Sequence, residues 1–210
     1  DQVYVPDTLA IAGFYTDWFA RGEGLGNFMT FGDFPSAAGG APMIPSGAIL
    51  GRDLSTIHEI DLYDPSQVQE FVSHSWYDYE GGKETGLHPH DGETTFNYTG
   101  PKPPYEHLDV ENSYSWLKAP RWKGHAMEVG PLARVLMLYA SGHEKTQELA
   151  NMALGQLNAP IDAMFSTLGR TAARTLETKL IADQMDQWLD KLMANIKAGD
   201  LDVHSEEHWD

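Results

Sequence analysis

The chain has 210 residues, enough for one domain with a sizeable core or for a large piece of a bigger one. Hydrophobic residues make up 41%, which argues against wholesale disorder, and a formal charge of −17 from 31 acids and 14 bases excludes nucleic acid as a partner, because phosphates are repelled along most of such a surface. Cysteine is absent, so disulfides, thiolate metal sites and iron–sulfur clusters are ruled out within these residues.

No apolar run approaches the roughly 18 residues needed to span a bilayer. Residues 5–19 predict a short helix, opened by Pro6 and Asp7, with Leu9, Ala10, Ala12, Phe14, Trp18 and Phe19 on a broad apolar face. Gly22, Gly24 and Gly26 stop it. The triplet resembles a phosphate loop, but no strand precedes it and no Gly-Lys-Ser follows, so a plain connection is the reading. Between 27 and 62, Phe28–Phe31, Ala48–Leu50 and Ile57–Leu62 are strand-like. Gly39–Pro42 and Pro45–Gly47 have loop composition, and Gly51-Arg52-Asp53 a turn. Asp64-Pro65-Ser66-Gln67 predicts a capped helix with Val68, Phe71 and Val72 inward, running to about Tyr77.

Residues 78–115 carry Gly81-Gly82, His88-Pro89-His90, Gly100-Pro101 and Pro103-Pro104 without periodicity. Their aromatic content, with Phe96, Tyr98, Tyr105, Tyr114 and the adjoining Trp116, is wrong for a solvated linker. An irregular, ordered segment wrapped over a surface outside this chain is expected. A joint at 118–134 follows, and then helices. One starts at Gly130-Pro131 with Leu132, Val135, Leu136, Leu138 and Tyr139 inward and closes at Gly142; a second covers 144–157 with Leu149, Met152, Ala153 and Gln156 stacking. A single turn through Met164 precedes a rod over 167–198, roughly 45 Å long at 1.5 Å per residue. The expected fold is therefore mostly α: a helical bundle with one long helix in the C-terminal half, and a loop-rich N-terminal half (1–125) with a few short strands. No internal repeat or domain boundary is evident.

His88-Pro89-His90-Asp91 is the most metal-like cluster, yet one His-x-His without a third histidine fits a hydrogen-bonded or interface histidine better. His204 and His208 lie in an acidic tail and read as solvated. Acid pairs such as Asp109 with Glu111, Asp183 with Asp186 and Glu206-Glu207 are expected by chance among so many carboxylates. Bases are scarce and so more telling: Lys118, Arg121, Lys123, Arg134, Arg170 and Arg174. Arg170 and Arg174, one helical turn apart, suit pairing with acids across an internal seam.

Several blocks in one order resemble the large subunit of the nickel–iron hydrogenases, in wording closest to the membrane-bound uptake type. They are Val5-Pro6-Asp7-Thr8-Leu9-Ala10-Ile11-Ala12, Gln67–Val72 with His74-Ser75-Trp76-Tyr77, His88-Pro89, Ser115-Trp116-Leu117-Lys118-Ala119-Pro120-Arg121-Trp122, Met127–Arg134, Ser166–Arg170 and Asp190–Asn195. The resemblance implies H2 oxidation at a Ni-Fe centre carrying carbon monoxide and cyanide, held by two Cys-x-x-Cys pairs. It implies a small subunit with iron–sulfur clusters, a membrane cytochrome b reached through that subunit, and a place on the periplasmic side of the cytoplasmic membrane. Neither thiolate pair is in this chain. Ala119-Pro120-Arg121 imitates the family's Ala-Pro-Arg-Gly motif, but Trp122 replaces its glycine, so that arginine's role does not transfer. The chain is expected to be an internal part of the large subunit, inactive alone, with no catalytic or metal-binding residue of its own. Lys118 is the candidate for a polar contact near the metal centre, and Arg121, His88 and Arg170 are further candidates there or at the subunit interface. The competing reading is a stand-alone acidic, aromatic-loop interaction module.

Overall fold

The computed structural model describes residues 3–35, 41–104 and 108–202. Tyr105, His204, His208 and Glu206-Glu207 lie outside them.

Helix α1 (Tyr4–Phe14) breaks at Tyr15 into a 3-10 turn (Thr16–Ala20), so the single helix expected over 5–19 is two pieces. Its inward side is also different. Thr8 and Ala12 are buried while Phe14 points to solvent. The side facing the long helix is the small one because the two backbones approach closely, and the Thr8 and Thr175 hydroxyls hydrogen-bond across the contact at 2.9 Å.

Strands β1 (Phe28–Pro35) and β2 (Pro42–Ile49) form an antiparallel ribbon, in register from Phe28 opposite Ile49 to Pro35 opposite Pro42. The loop composition at Pro42 and Pro45–Gly47 was misleading: both strands of a two-stranded ribbon are edge strands, where proline's missing N–H is tolerated. Ile57–Leu62 is no strand; His58 alone bridges Ala48, through two hydrogen bonds of 2.8 and 2.9 Å.

The helix predicted from Asp64 is a single turn followed by β3 (Val68–Phe71). The Asp64 carboxylate accepts from the Ser66 amide, as a cap would, but Val68–Phe71 then pairs with β6 (Ala119–Trp122), Val68 opposite Trp122. Strand β6 turns back through Lys123-Gly124 into β7 (His125–Ala126). Within 78–115 the regular structure among the described residues is β5 (Thr94–Phe96), paired with β4 (Tyr77–Tyr79).

Helices α2 (Pro131–Ala140), α3 (Glu144–Gln156) and α4 (Thr167–Ala198) match the periodic stretches, with a 3-10 turn at Ile161–Phe165 before α4. On α3 the buried side is Leu149, Ala150, Ala153 and Leu154, rotated away from the expected Met152 and Gln156. The Ser166 hydroxyl caps α4 by accepting from the Gly169 amide at 3.1 Å. No helix among the described residues is long and apolar enough to cross a membrane.

The β1–β2 ribbon lies between two core clusters. Phe28, Ile44 and Ile49 face one cluster with Val135, Leu136, Phe165, Leu176 and Leu180, whereas Met29 and Ala48 face a second with Ile60, Val68, Trp122 and Met127. Both faces of the ribbon are covered, so its ends read as unbroken apolar runs rather than alternation. Aliphatic burial on α4 stops at Leu180. Beyond it Met185, Leu189, Leu192, Met193 and Ile196 are exposed, although Trp188 tilts against Phe34 at 5.2 Å.

Candidate functional site

The pairing of β3 with β6 places Lys118 and Arg121 along one groove of about 530 Å³, lined also by Phe71, His74 and Tyr114. The Lys118 ammonium sits 3.3 Å from Glu70 Oε2 and 5.7 Å from the centre of the Tyr79 ring. Burial first, and the Glu70 carboxylate second, push the Tyr79 phenol above its ordinary value. The Arg121 guanidinium lies 5.3 Å over Phe71. Both cations are thus braced at the root yet border open space. The groove wall is rigid: the Lys83 ammonium donates to the Ser75 carbonyl and the Ser113 hydroxyl, each at 2.9 Å, and the Ser75 hydroxyl donates to the Leu117 carbonyl.

Beside the groove, Trp76, Tyr77, Phe96, Tyr98 and Trp116 pack edge-on and face-on with centroids 4.9 to 6.0 Å apart. Only Trp76 of these is buried; Phe96 is 80% exposed. Leu117 and Tyr114, also exposed, line the adjoining groove. Aromatics braced against one another with faces left in water are typical of a surface that meets another protein.

The other two predicted residues are elsewhere and internally occupied. His88 is buried, its Nε2–H donating to the Leu62 carbonyl at 2.7 Å and its Nδ1 accepting from the His90 amide at 3.2 Å. A carbonyl only accepts and an amide only donates, so the ring is fixed as the Nε2–H tautomer with no lone pair left for a metal. Arg170, on the first turns of α4, donates to the Phe165 carbonyl at 2.7 Å, to the Gly22 carbonyl, and to Glu128 at 2.5 Å. The other oxygen of Glu128 accepts from the Leu25 amide. This clasp explains the middle glycine of the triplet: at Gly24, φ is +65°, and a Cβ would strike both Glu128 and Arg170. Arg174 reaches the Arg170 carbonyl at 3.4 Å.

The partners Glu70 of Lys118, Glu128 of Arg170 and Glu177 of Arg134 were not distinguishable in a chain with 31 acids. Among the described residues no three His, Asp or Glu side chains come together as a metal-binding group.

A family model described as nickel-dependent hydrogenase matches residues 1–210. The chain is 44% identical over 220 residues to the uptake hydrogenase large subunit of Rhodobacter capsulatus and 45% to that of Bradyrhizobium diazoefficiens. It is 39% identical over 221 residues to the hydrogenase-1 large chain of Escherichia coli. Each alignment covers 100% of this chain and 37% of the relative, so the chain spans little more than a third of the length of these curated relatives. Among solved structures, the H2-activated [NiFeSe]-hydrogenase of Dm. baculatum superposes with a TM-score of 0.61 at 29% identity, covering 90% of this chain and 36% of that one. The oxidised Ni-Fe-Se hydrogenase of D. vulgaris Hildenborough gives 0.62 at 28%, covering 90% and 37%. Matched along its whole length, the chain belongs to the nickel-dependent hydrogenase family.

Proposed function

We propose that these residues are the scaffold and outer wall of a hydrogenase large subunit whose intact form oxidises H2 to protons and electrons. The observation that carries this is the whole-chain identity of about 44% to uptake hydrogenase large subunits. The chemistry belongs to a Ni-Fe centre bearing carbon monoxide and cyanide, and this chain does not fit that group. It has no thiolate, His88 has both nitrogens committed, and the described residues offer no ligand trio. Its part is placement: α2 and α4 fix a rigid body, and the β3–β6 groove presents Lys118 and Arg121 beside the aromatic patch. That patch is the contact surface for a small subunit carrying iron–sulfur clusters, which hands electrons to a membrane cytochrome b on the periplasmic side. Exposed apolar side chains gathered at two places, Phe96 with Trp116 and Leu117, and Met185 to Ile196, suit a part of a larger assembly. The stand-alone reading has no support, since the relatives and structures named above are hydrogenases.

The test is to read the gene on both sides of this segment and purify the full-length product with its co-encoded partner. Cys-x-x-Cys pairs on both flanks, bound nickel and H2-dependent dye reduction are expected. A product with no nickel and no H2-dependent reduction overturns the reading.

A further inference from the structure

We infer that the groove beside β6 seats an extended segment of the small subunit that carries both charges, its carboxylate on Arg121 and its cation toward Asp109 and Glu111. This rests on the large-subunit reading above and names the chemistry that the contact surface selects. The groove of about 530 Å³ that Arg121 and Phe71 line is continued by a second cavity of about 510 Å³, lined by Asp109 and Glu111. The two share Ser73, His74 and Glu84, so they are consecutive reaches of one trough. A trough of that form suits an extended chain, which advances about 3.3 Å per residue.

Three observations choose the occupant. First, Arg21, Arg52, Arg134 and Arg170 each hold a carboxylate of this chain. Arg121 holds none among the described residues; its guanidinium donates to the adjacent Pro120 carbonyl at 3.0 Å and lies over Phe71. A half-buried guanidinium stacked on a ring keeps most of its fork for a carboxylate, the planar partner that the fork matches. Second, the sign reverses along the trough. Asp109 accepts hydrogen bonds from Glu111 and Asn112 in its own loop, and among the described residues no base of this chain pairs with Asp109 or Glu111. A wholly acidic segment is repelled from that end and a wholly basic one from Arg121, whereas a segment with both charges is held at both ends and in one direction. Third, the walls are of the kind found between separate proteins. Tyr114 stacks on His74, whose Nδ1–H donates to the Asn112 carbonyl at 2.8 Å, and the exposed Leu117 follows Trp116 of the aromatic patch. Contacts between proteins concentrate Tyr, Trp and Arg, so the small subunit, not a remoter part of this polypeptide, is the occupant.

The experiment uses the assembled full-length enzyme with p-benzoylphenylalanine in place of Tyr114. After irradiation, adducts are mapped by mass spectrometry. An adduct to a small-subunit peptide that holds an acid and a base within a few residues is expected. An adduct to another part of the large subunit or to a second copy of it, or no adduct, overturns the inference. Arg121→Glu should weaken subunit association roughly tenfold or more, and changing the acid of the crosslinked peptide to lysine should restore it to within about threefold. No weakening, or a loss that the exchange does not restore, also overturns it. Where Arg121→Glu does not fold, Arg121→Gln serves: its Kd should respond less to added salt than the parent's, and equal responses count against the inference. Nickel content and H2-dependent dye reduction of the parent enzyme report separately on the hydrogenase reading.

Discussion

Arg134 on α2 and Glu177 on α4 grip each other with two parallel hydrogen bonds, Nε to Oε1 and Nη2 to Oε2, the second at 3.0 Å. Glu177 is nearly buried, and its hydrogen bonds raise the guanidinium's pKa further above its ordinary value. The pair ties together two helices whose other contacts are aliphatic and therefore non-directional. Glu177→Ala is expected to cost about 2–4 kcal/mol, because it strands a half-buried charge. Arg134→Lys should lose about 1 kcal/mol by sacrificing the fork while keeping the charge. Urea unfolding of the full-length subunit, with the double variant closing a thermodynamic cycle, measures the coupling.

Gly24 and Gly51 separate steric room from backbone strain. Both have positive φ, +65° and +60°, but an added Cβ at Gly51 meets nothing within 4 Å, while at Gly24 it strikes the Arg170–Glu128 clasp. Gly51→Ala should cost about 1–2 kcal/mol for the left-handed backbone alone. Gly24→Ala should cost about 1–3 kcal/mol more, as the clasp is pushed open. Equal losses in thermal unfolding would show that the clasp gives way freely.

Asp64 makes the turn before β3 sensitive to acid. Hydrogen bonds from the Ser66 hydroxyl, then the Gln67 amide and the Ser66 backbone, hold its carboxyl below the ordinary 3.8. A depressed folded value means that the carboxylate stabilises the fold above pH 3.8 and that this contribution is lost as pH falls through the folded value. Asp64→Ala should therefore be less stable than the parent at pH 6, with the gap narrowing below pH 3.8. A gap that stays constant on acidification excludes the linkage.

Lys118 and Arg121 should behave differently from His88 and Arg170 in the assembled enzyme. Lys118→Met and Arg121→Ala are expected to weaken the hold on the small subunit, each roughly fivefold to tenfold in Kd, about 1–1.4 kcal/mol. His88→Ala and Arg170→Ala should instead lower the unfolding temperature of the large subunit with little effect on Kd. Activity and nickel content unchanged in Lys118→Met would remove that residue from any role near the metals.

The helical half was legible because its signals are local. Pro131 at a helix start, Ser166 as a cap and Gly199 as a stop each act within one turn. The N-terminal half was not, because its partners are remote. Asp64-Pro65-Ser66-Gln67 does make the bonds of a helix cap, but Val68–Phe71 is drawn into a strand by Ala119–Trp122, roughly 50 residues later. Pro45 misled similarly: its carbonyl accepts from the Thr30 hydroxyl within a ribbon, which loop composition does not announce. The hydrogenase resemblance was readable from word-like blocks, whereas the braces around Lys118 and Arg170 depend on glutamates that nothing in the text marks.

The Arg170 clasp joins segments 148 residues apart in the chain. A ribosome adding about 5–20 residues each second delivers the arginine on the order of ten seconds after Gly22 has emerged. Through that interval Phe28 also waits for Phe165, its stacking partner at 5.7 Å. The early ribbon thus spends that time with one greasy side bare, and such a surface is prone to aggregate until translation has passed the start of α4.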